Sequence, residues 1–283
     1  MRDSDILGTI GFVGIFVVVA SGMMAIGLGY TIRQIVYPLQ NLRLLALTLL
    51  ANFLILPLAS VAIAVGLRID EPLADGLVLL GAASGAPFVP KLTEYARGDL
   101  PFAIATTILL TAATIAYLPL VLPIIRSDVI VPPLTVARPL VMFILLPLGI
   151  GLGARACSER LATRLKPVLD GLANVGFLPV VFLVAALNAR NVLHVFGTGG
   201  ILAGIMLLGL GLGVGWLLGG PAGDTRRALA LSTGLRNFAV AIMVASEDFD
   251  DPAVEIMVIV TAVVALLILL PLSRLWGLKP MAN

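Results

Sequence analysis

Between residues 6 and 272 the chain is a succession of apolar runs about twenty residues long, separated by short polar connections. A helix of that length crosses the roughly 30 Å hydrocarbon layer of a bilayer, where the backbone finds no partner but itself. Helices are therefore expected. A transmembrane barrel would show alternating segments of about ten residues, which these runs do not. Composition agrees, with 12% of the 283 residues charged and 60% hydrophobic, against about 25% charged in soluble domains. The 29 glycines and 18 prolines fit too, since neighbouring membrane helices repair the backbone bonds these residues disturb.

Two runs are interrupted. In LLGAASGAPFVPKLTEYARGD, residues 79–99, Ser84, Gly85, Pro87 and Pro90 break any continuous helix, and Lys91 follows directly. In LALSTGLRNFAVAIMVA, residues 229–245, the interruption at Ser232, Thr233 and Gly234 precedes Arg236. Broken backbone at membrane depth is tolerated only where protein buries it or a watery cavity receives it. A cation in the first turn of a resumed helix opposes the dipole there unless an anion shares the site. Paired interrupted segments, one in each half of a chain, point to a transporter built from inverted repeats with its site near the midplane.

Nine spans are expected, at about 6–29, 44–67, from 73 through the first break, 101–125, 134–153, 168–187, 200–218, 229–245 and 252–272. They divide as four, one and four. The third of each group is broken and the fourth starts at a proline, Pro101 or Pro252. The expected fold is thus all-α and polytopic, with repeats at 1–125 and 167–283. Residues 126–166 supply a linking helix and a basic loop. A core drawn mostly from 73–125 and 228–275 is interleaved with a second, panel domain. The opening MRDSD is acidic and lacks the basic start of a signal peptide, so the first run is expected to stay as a membrane helix. Eleven basic residues fall on one side (Arg33, Arg43, Arg97, Arg155, Arg160, Arg164, Lys166, Arg226, Arg227, Arg274, Lys279) and five on the other (Arg2, Arg68, Arg126, Arg138, Arg190). The positive side is cytoplasmic, which puts the N-terminus outside and the C-terminus inside the inner membrane.

These features, with AIGLGYTIRQI after the first span and ANFLILPL in the second, resemble the bile acid:sodium symporter family over nearly the whole chain. The resemblance implies two inverted repeats, a panel and a core domain, two discontinuous helices crossing in the core, and uptake of organic anions coupled to sodium. It also exposes departures. Where sodium-coupled members have a serine-asparagine pair after the first break, this chain has Val89 and Pro90. Where they have a sodium-binding glutamate and glutamine, it has Ser232 and Arg236. Asn52, Thr107 and Asn237 fall at or near polar ligands of the family. The family sodium sites are therefore expected to be degenerate.

The resulting expectation is a secondary transporter of an organic anion, bound by Lys91 and Arg236 with neutral hydrogen bonds from Asn52, Thr107, Ser232, Thr233 and Asn237. Each residue has a structural alternative. Lys91 pairs with Glu94 or reaches the headgroups. Arg236 bonds an opposing helix C-terminus, Asp170 or Glu255. Asn52 and Thr107 join helices, as Thr106, Thr111 and Thr114 bond back to the preceding turn. Asp170 and Glu255 are possible coupling acids, Asp170 being otherwise interfacial. The alternatives for function are a sodium- or proton-coupled symporter of a bile-acid-like or small carboxylate solute, and a non-transporting sensor or channel. An arsenite-type carrier is disfavoured because no cysteine precedes Cys157. Cys157 and the lone His194 give no metal-site spacing, and neither a nucleophile set nor a phosphate loop is present, so no enzyme, cofactor or metal is expected. The expected partners are an anionic solute and the bilayer, with sodium in question and no nucleic acid.

Overall fold

The computed structural model describes residues 3–126 and 129–278, and their regular elements are helices. They are α1 (Asp3–Gly29), α2 (Leu42–Gly66), α3 (Glu71–Ala82), α4 (Val89–Tyr95), α5 (Leu100–Ile125), α6 (Pro133–Cys157), α7 (Glu159–Leu187), α8 (Gly200–Leu218), α9 (Gly223–Gly234), α10 (Phe238–Asp248) and α11 (Pro252–Leu278). Short helical segments at Ile32–Val36, Tyr37–Gln40 and Ala189–Val195 connect some of them.

The helix ends follow from local chemistry. Asp99 caps α5 by accepting from the Phe102 N–H at 3.0 Å, with Pro101 in the first turn, where a missing N–H costs nothing. Inside α2, Pro57 cannot donate to Phe53, and the backbone widens into a π turn over Ala51–Ile55. The freed Phe53 carbonyl accepts from the Tyr117 hydroxyl at 2.7 Å. The same turn holds Asn52, fully buried, against the interrupted helices.

Six helices, with α9 and α10 taken together, are long and apolar enough to cross a membrane among the described residues. A seventh is added if the bent pair Val13–Gly29 and Ile32–Gln40 counts as one span. Among the helices outside this count, α3 and α4 have only 12 and 7 residues, too short to cross on their own. The basic stretch after residue 153, expected as a loop, is a correction. It forms the end of α6 and the start of α7, parted only at Ser158. Arg155 with Glu159 (3.6 Å) and Lys166 with Asp170 (2.5 Å) are four residues apart, so their charges support the helices they were expected to interrupt.

α1 packs with α6 and α7, and Gly27 and Gly151 meet where any side chain would strike backbone. α3, α4, α5, α8, α9, α10 and α11 pack chiefly among themselves, with α2 against α3 and α8. Arg126 at the end of α5 reaches Glu71 at 2.6 Å and Asp75 at 2.9 Å, tying that end to the start of α3.

Candidate functional site at the crossing of two interrupted helices

The first interruption runs over residues 83–88. Gly85 has φ +84°, and a Cβ there would lie 2.5 Å from the Thr111 nitrogen, so both backbone and space require glycine. The helix resumes at Val89, placing Pro90 inside the first turn of α4. The second interruption covers Leu235, Arg236 and Asn237, with Gly234 closing α9.

The two interruptions touch, and each supplies the other's backbone partners. The Asn237 N–H donates to the Ala83 carbonyl at 3.0 Å and its side-chain amide to the Gly85 carbonyl at 2.8 Å. The Asn237 side-chain oxygen caps α10 through Val240. From α5, Thr111 donates to the Gly85 carbonyl at 3.2 Å, while Thr114 donates to the Ser84 carbonyl at 3.1 Å and lies 3.3 Å from the Ser84 N–H. The non-helical stretch that water would otherwise solvate is thus bonded by protein.

Arg236 is at the centre and 2% exposed. Its Nε donates to the Leu80 carbonyl at 2.9 Å, Nη2 to the Gly81 carbonyl at 2.6 Å, and Nη1 to Asn52 Oδ1 at 2.9 Å. Longer contacts reach the carbonyls of Thr233 (3.4 Å) and Asn52 (3.5 Å). All five partners are uncharged oxygens, and among the described residues no carboxylate pairs with it. Leu80 and Gly81 end α3, where unpaired carbonyls carry the negative end of the dipole, so a guanidinium there is favourably placed. Asn52 continues the network, accepting from Ser84 Oγ at 2.9 Å and donating to Thr233 Oγ1 at 3.3 Å. Ser232 lies 3.2 Å from Thr106 Oγ1.

Arg236, Asn52, Asn237, Ser232 and Thr233 are therefore brought together, but two other expected residues are not. Lys91 binds Glu94 at 2.6 Å and lies 5.2 Å from the Tyr95 ring centre, on a different cluster. Thr107 bonds back to the Ala103 carbonyl at 2.8 Å. Arg236 faces a helix C-terminus rather than a half-helix N-terminus. Neither possible coupling acid pairs with Arg236: Asp170 binds Lys166, and Glu255 stands half-buried in the first turn of α11.

The sequence marks Ser84 as a helix breaker and offers Thr106, Thr111 and Thr114 as back-bonding residues, yet all four bond across to other elements. The spacing of Thr111 and Thr114, three apart on one helix face, was the available signal. Arg227 belongs to the basic residues expected on the cytoplasmic side. It is 6% exposed and donates to the Ala96 carbonyl at 2.8 Å, beyond the end of α4.

Lys91 lines a cleft with Glu94 and Asp170. Its other walls come from α1 and α7, including Val18, Met23 and Phe177, and from Phe88 at the first interruption. Its water-accessible space is only about 40 Å³. The polar side chains at the crossing are thus buried and bonded to protein, and the cleft beside it is narrow.

A model of the sodium bile acid symporter family matches residues 15–195, well over half of the chain. The chain belongs to the sodium bile acid symporter family. It is 22% identical to an uncharacterized sodium-dependent transporter, YocS, of Bacillus subtilis, over 71% of this chain and 64% of that protein. It is 20% identical to a probable chloroplastic sodium/metabolite cotransporter, BASS3, of Arabidopsis thaliana, over 90% and 60%. With a rice counterpart, BASS2, it shares 23% over 83% and 57%. The chain thus spans about three fifths of the length of these relatives. Membership in a symporter family agrees with the expectation that the protein is not an enzyme.

Proposed function

We propose that the protein is a secondary transporter that moves an organic anion across the cytoplasmic membrane, with the Arg236 guanidinium standing where a coupling cation would otherwise bind. One observation carries the reading: a fixed positive charge lies among five uncharged oxygen acceptors at the junction of the interrupted helices. A sodium ion also seeks several oxygens, and a guanidinium in the same space excludes it by charge and volume. Arg236 then holds the crossing together without a bound ion. The solute enters from the cleft, where the Lys91 ammonium turns from Glu94 to a carboxylate and the apolar wall receives the solute's body. Ser232, Thr233, Asn52 and Asn237 keep the crossing in register behind it.

The architecture that goes with this function has nine spans, an inverted repeat of residues 1–125 with 167–283, and residues 126–166 linking them. Support comes from the repeated order of broken helix, charged turn and proline-started helix. The eleven-to-five division of basic residues supports an N-terminus outside and a C-terminus inside.

A second reading, favoured by the names of the relatives, is coupling to sodium. Sodium would then bind away from Arg236, and Asp170 or Glu255 would be the acids to examine. Uptake of candidate carboxylates into proteoliposomes separates the two readings. The first expects equal uptake in sodium and in potassium, and the second expects uptake only down a sodium gradient.

A further inference from the structure

At Gly29, where α1 ends, the chain turns through 103° into the segment Ile32–Gln40. A segment that leaves a membrane-spanning helix at nearly a right angle runs close to the plane of the bilayer. Ile35 is buried against Ile104 and Ala105 of α5, which fixes the segment's inner face. Its outer face leaves Ile32 (65%), Val36 (47%) and Tyr37 (68%) exposed, followed by Leu42 at the start of α2. Apolar side chains on a surface-lying segment continuous with a span belong at the boundary between headgroups and acyl chains.

Beside this bend is a crevice with about 530 Å³ of water-accessible space, lined by Tyr30, Thr31, Ile32 and Arg33 and, from α6 and α7, by Arg155 and Glu159. Arg155 donates one nitrogen to the Leu28 carbonyl at 2.8 Å and holds Glu159 only loosely, at 3.6 Å. Arg33 is exposed, and its side chain has no hydrogen bond or ion pair among the described residues. The crevice therefore has a net positive charge, one guanidinium fixed by backbone and another uncommitted, at the level where α1 and α6 both end. We infer that it binds the phosphodiester of an anionic phospholipid, with Arg33 and Arg155 facing the phosphate and Ile32, Val36 and Tyr37 beside the acyl chains. The occupant is a lipid rather than a soluble phosphate because the exposed apolar side chains adjoin the charged crevice.

The test titrates the purified full chain in detergent with dihexanoyl phosphatidylglycerol, dihexanoyl phosphatidylcholine or inorganic phosphate and follows the melting temperature. Saturable stabilisation by the glycerol lipid is expected, with little effect of the other two. Arg33→Gln removes an unbonded, exposed side chain and so spares the fold. It should raise the half-saturating lipid concentration about fivefold, the effect of one basic residue near an anionic surface. Equal stabilisation by the choline lipid, reproduction of the whole shift by inorganic phosphate, or an unchanged titration in R33Q would each overturn the inference.

Discussion

Replacing Arg236 by glutamine removes a charge that joins α2, α3 and α9. Three of its hydrogen bonds are 2.9 Å or shorter, to Leu80, Gly81 and Asn52. Bonds of this charged type contribute about 1.5 to 3 kcal/mol each, so their gross contribution is roughly 4 to 9 kcal/mol. Two effects reduce that figure. The variant no longer buries a guanidinium, which relieves several kcal/mol of desolvation, and the new amide retains one or two of the bonds. Against this, a carbonyl left unpaired at the end of α3 costs about 1 to 3 kcal/mol. The net loss is about 2 to 5 kcal/mol, corresponding to a melting temperature lower by roughly 5 to 15 °C in detergent. Arg236→Lys keeps the charge but not the planar fork, and should fall between the two. Thermal unfolding of the three proteins in sodium-free buffer measures this directly. An R236Q protein that melts within about 1 °C of the unaltered chain would show that the guanidinium does not hold the crossing.

Lys91→Gln should abolish most uptake of an anionic solute while leaving the melting temperature nearly unchanged, because an i,i+3 pair with half-exposed Glu94 contributes little to stability. Equal uptake by K91Q would remove the cleft from the account. Gly85→Ala forces a methyl group into Thr111 at a positive φ and should destabilise by about 2 kcal/mol or more, read as lost expression and a lower melting temperature. In intact cells a membrane-impermeant maleimide should miss the exposed native Cys157 and, in a cysteine-free background, label Asp70→Cys. The reverse pattern would invert the orientation.

The class of fold was legible because lipid leaves so few backbone solutions that hydropathy and interrupted runs almost dictate it. The interruptions were legible because Ser84, Gly85, Pro87 and Pro90 cluster within one apolar run, whereas single prolines such as Pro119 and Pro271 stay inside helices. What the sequence concealed was direction. Arg236 could be located near a break, but whether it pointed at an incoming anion or at the carbonyls of α3 depended on how two segments about 150 residues apart cross. Its structural alternative, a bond to an opposing helix C-terminus, is the one found. Lys91 followed its local alternative too, since Glu94 lies within reach on the same short helix. The basic stretch between α6 and α7 differs from the expected loop because charge alone does not distinguish a loop from a helix, and pairs four residues apart are compatible with a helix.

The central claim, that Arg236 occupies the place of a coupling cation, needs no knowledge of the solute to be tested. The purified chain is melted in sodium chloride and in potassium chloride at equal ionic strength, alongside Arg236→Gln. A protein that binds sodium in its folded state gains about 2.7 kcal/mol when sodium is 100-fold above its dissociation constant. With the guanidinium in that place, the unaltered protein should melt at the same temperature in both salts. A saturable, sodium-specific rise in the unaltered protein that persists in R236Q would contradict the account and place the ion elsewhere.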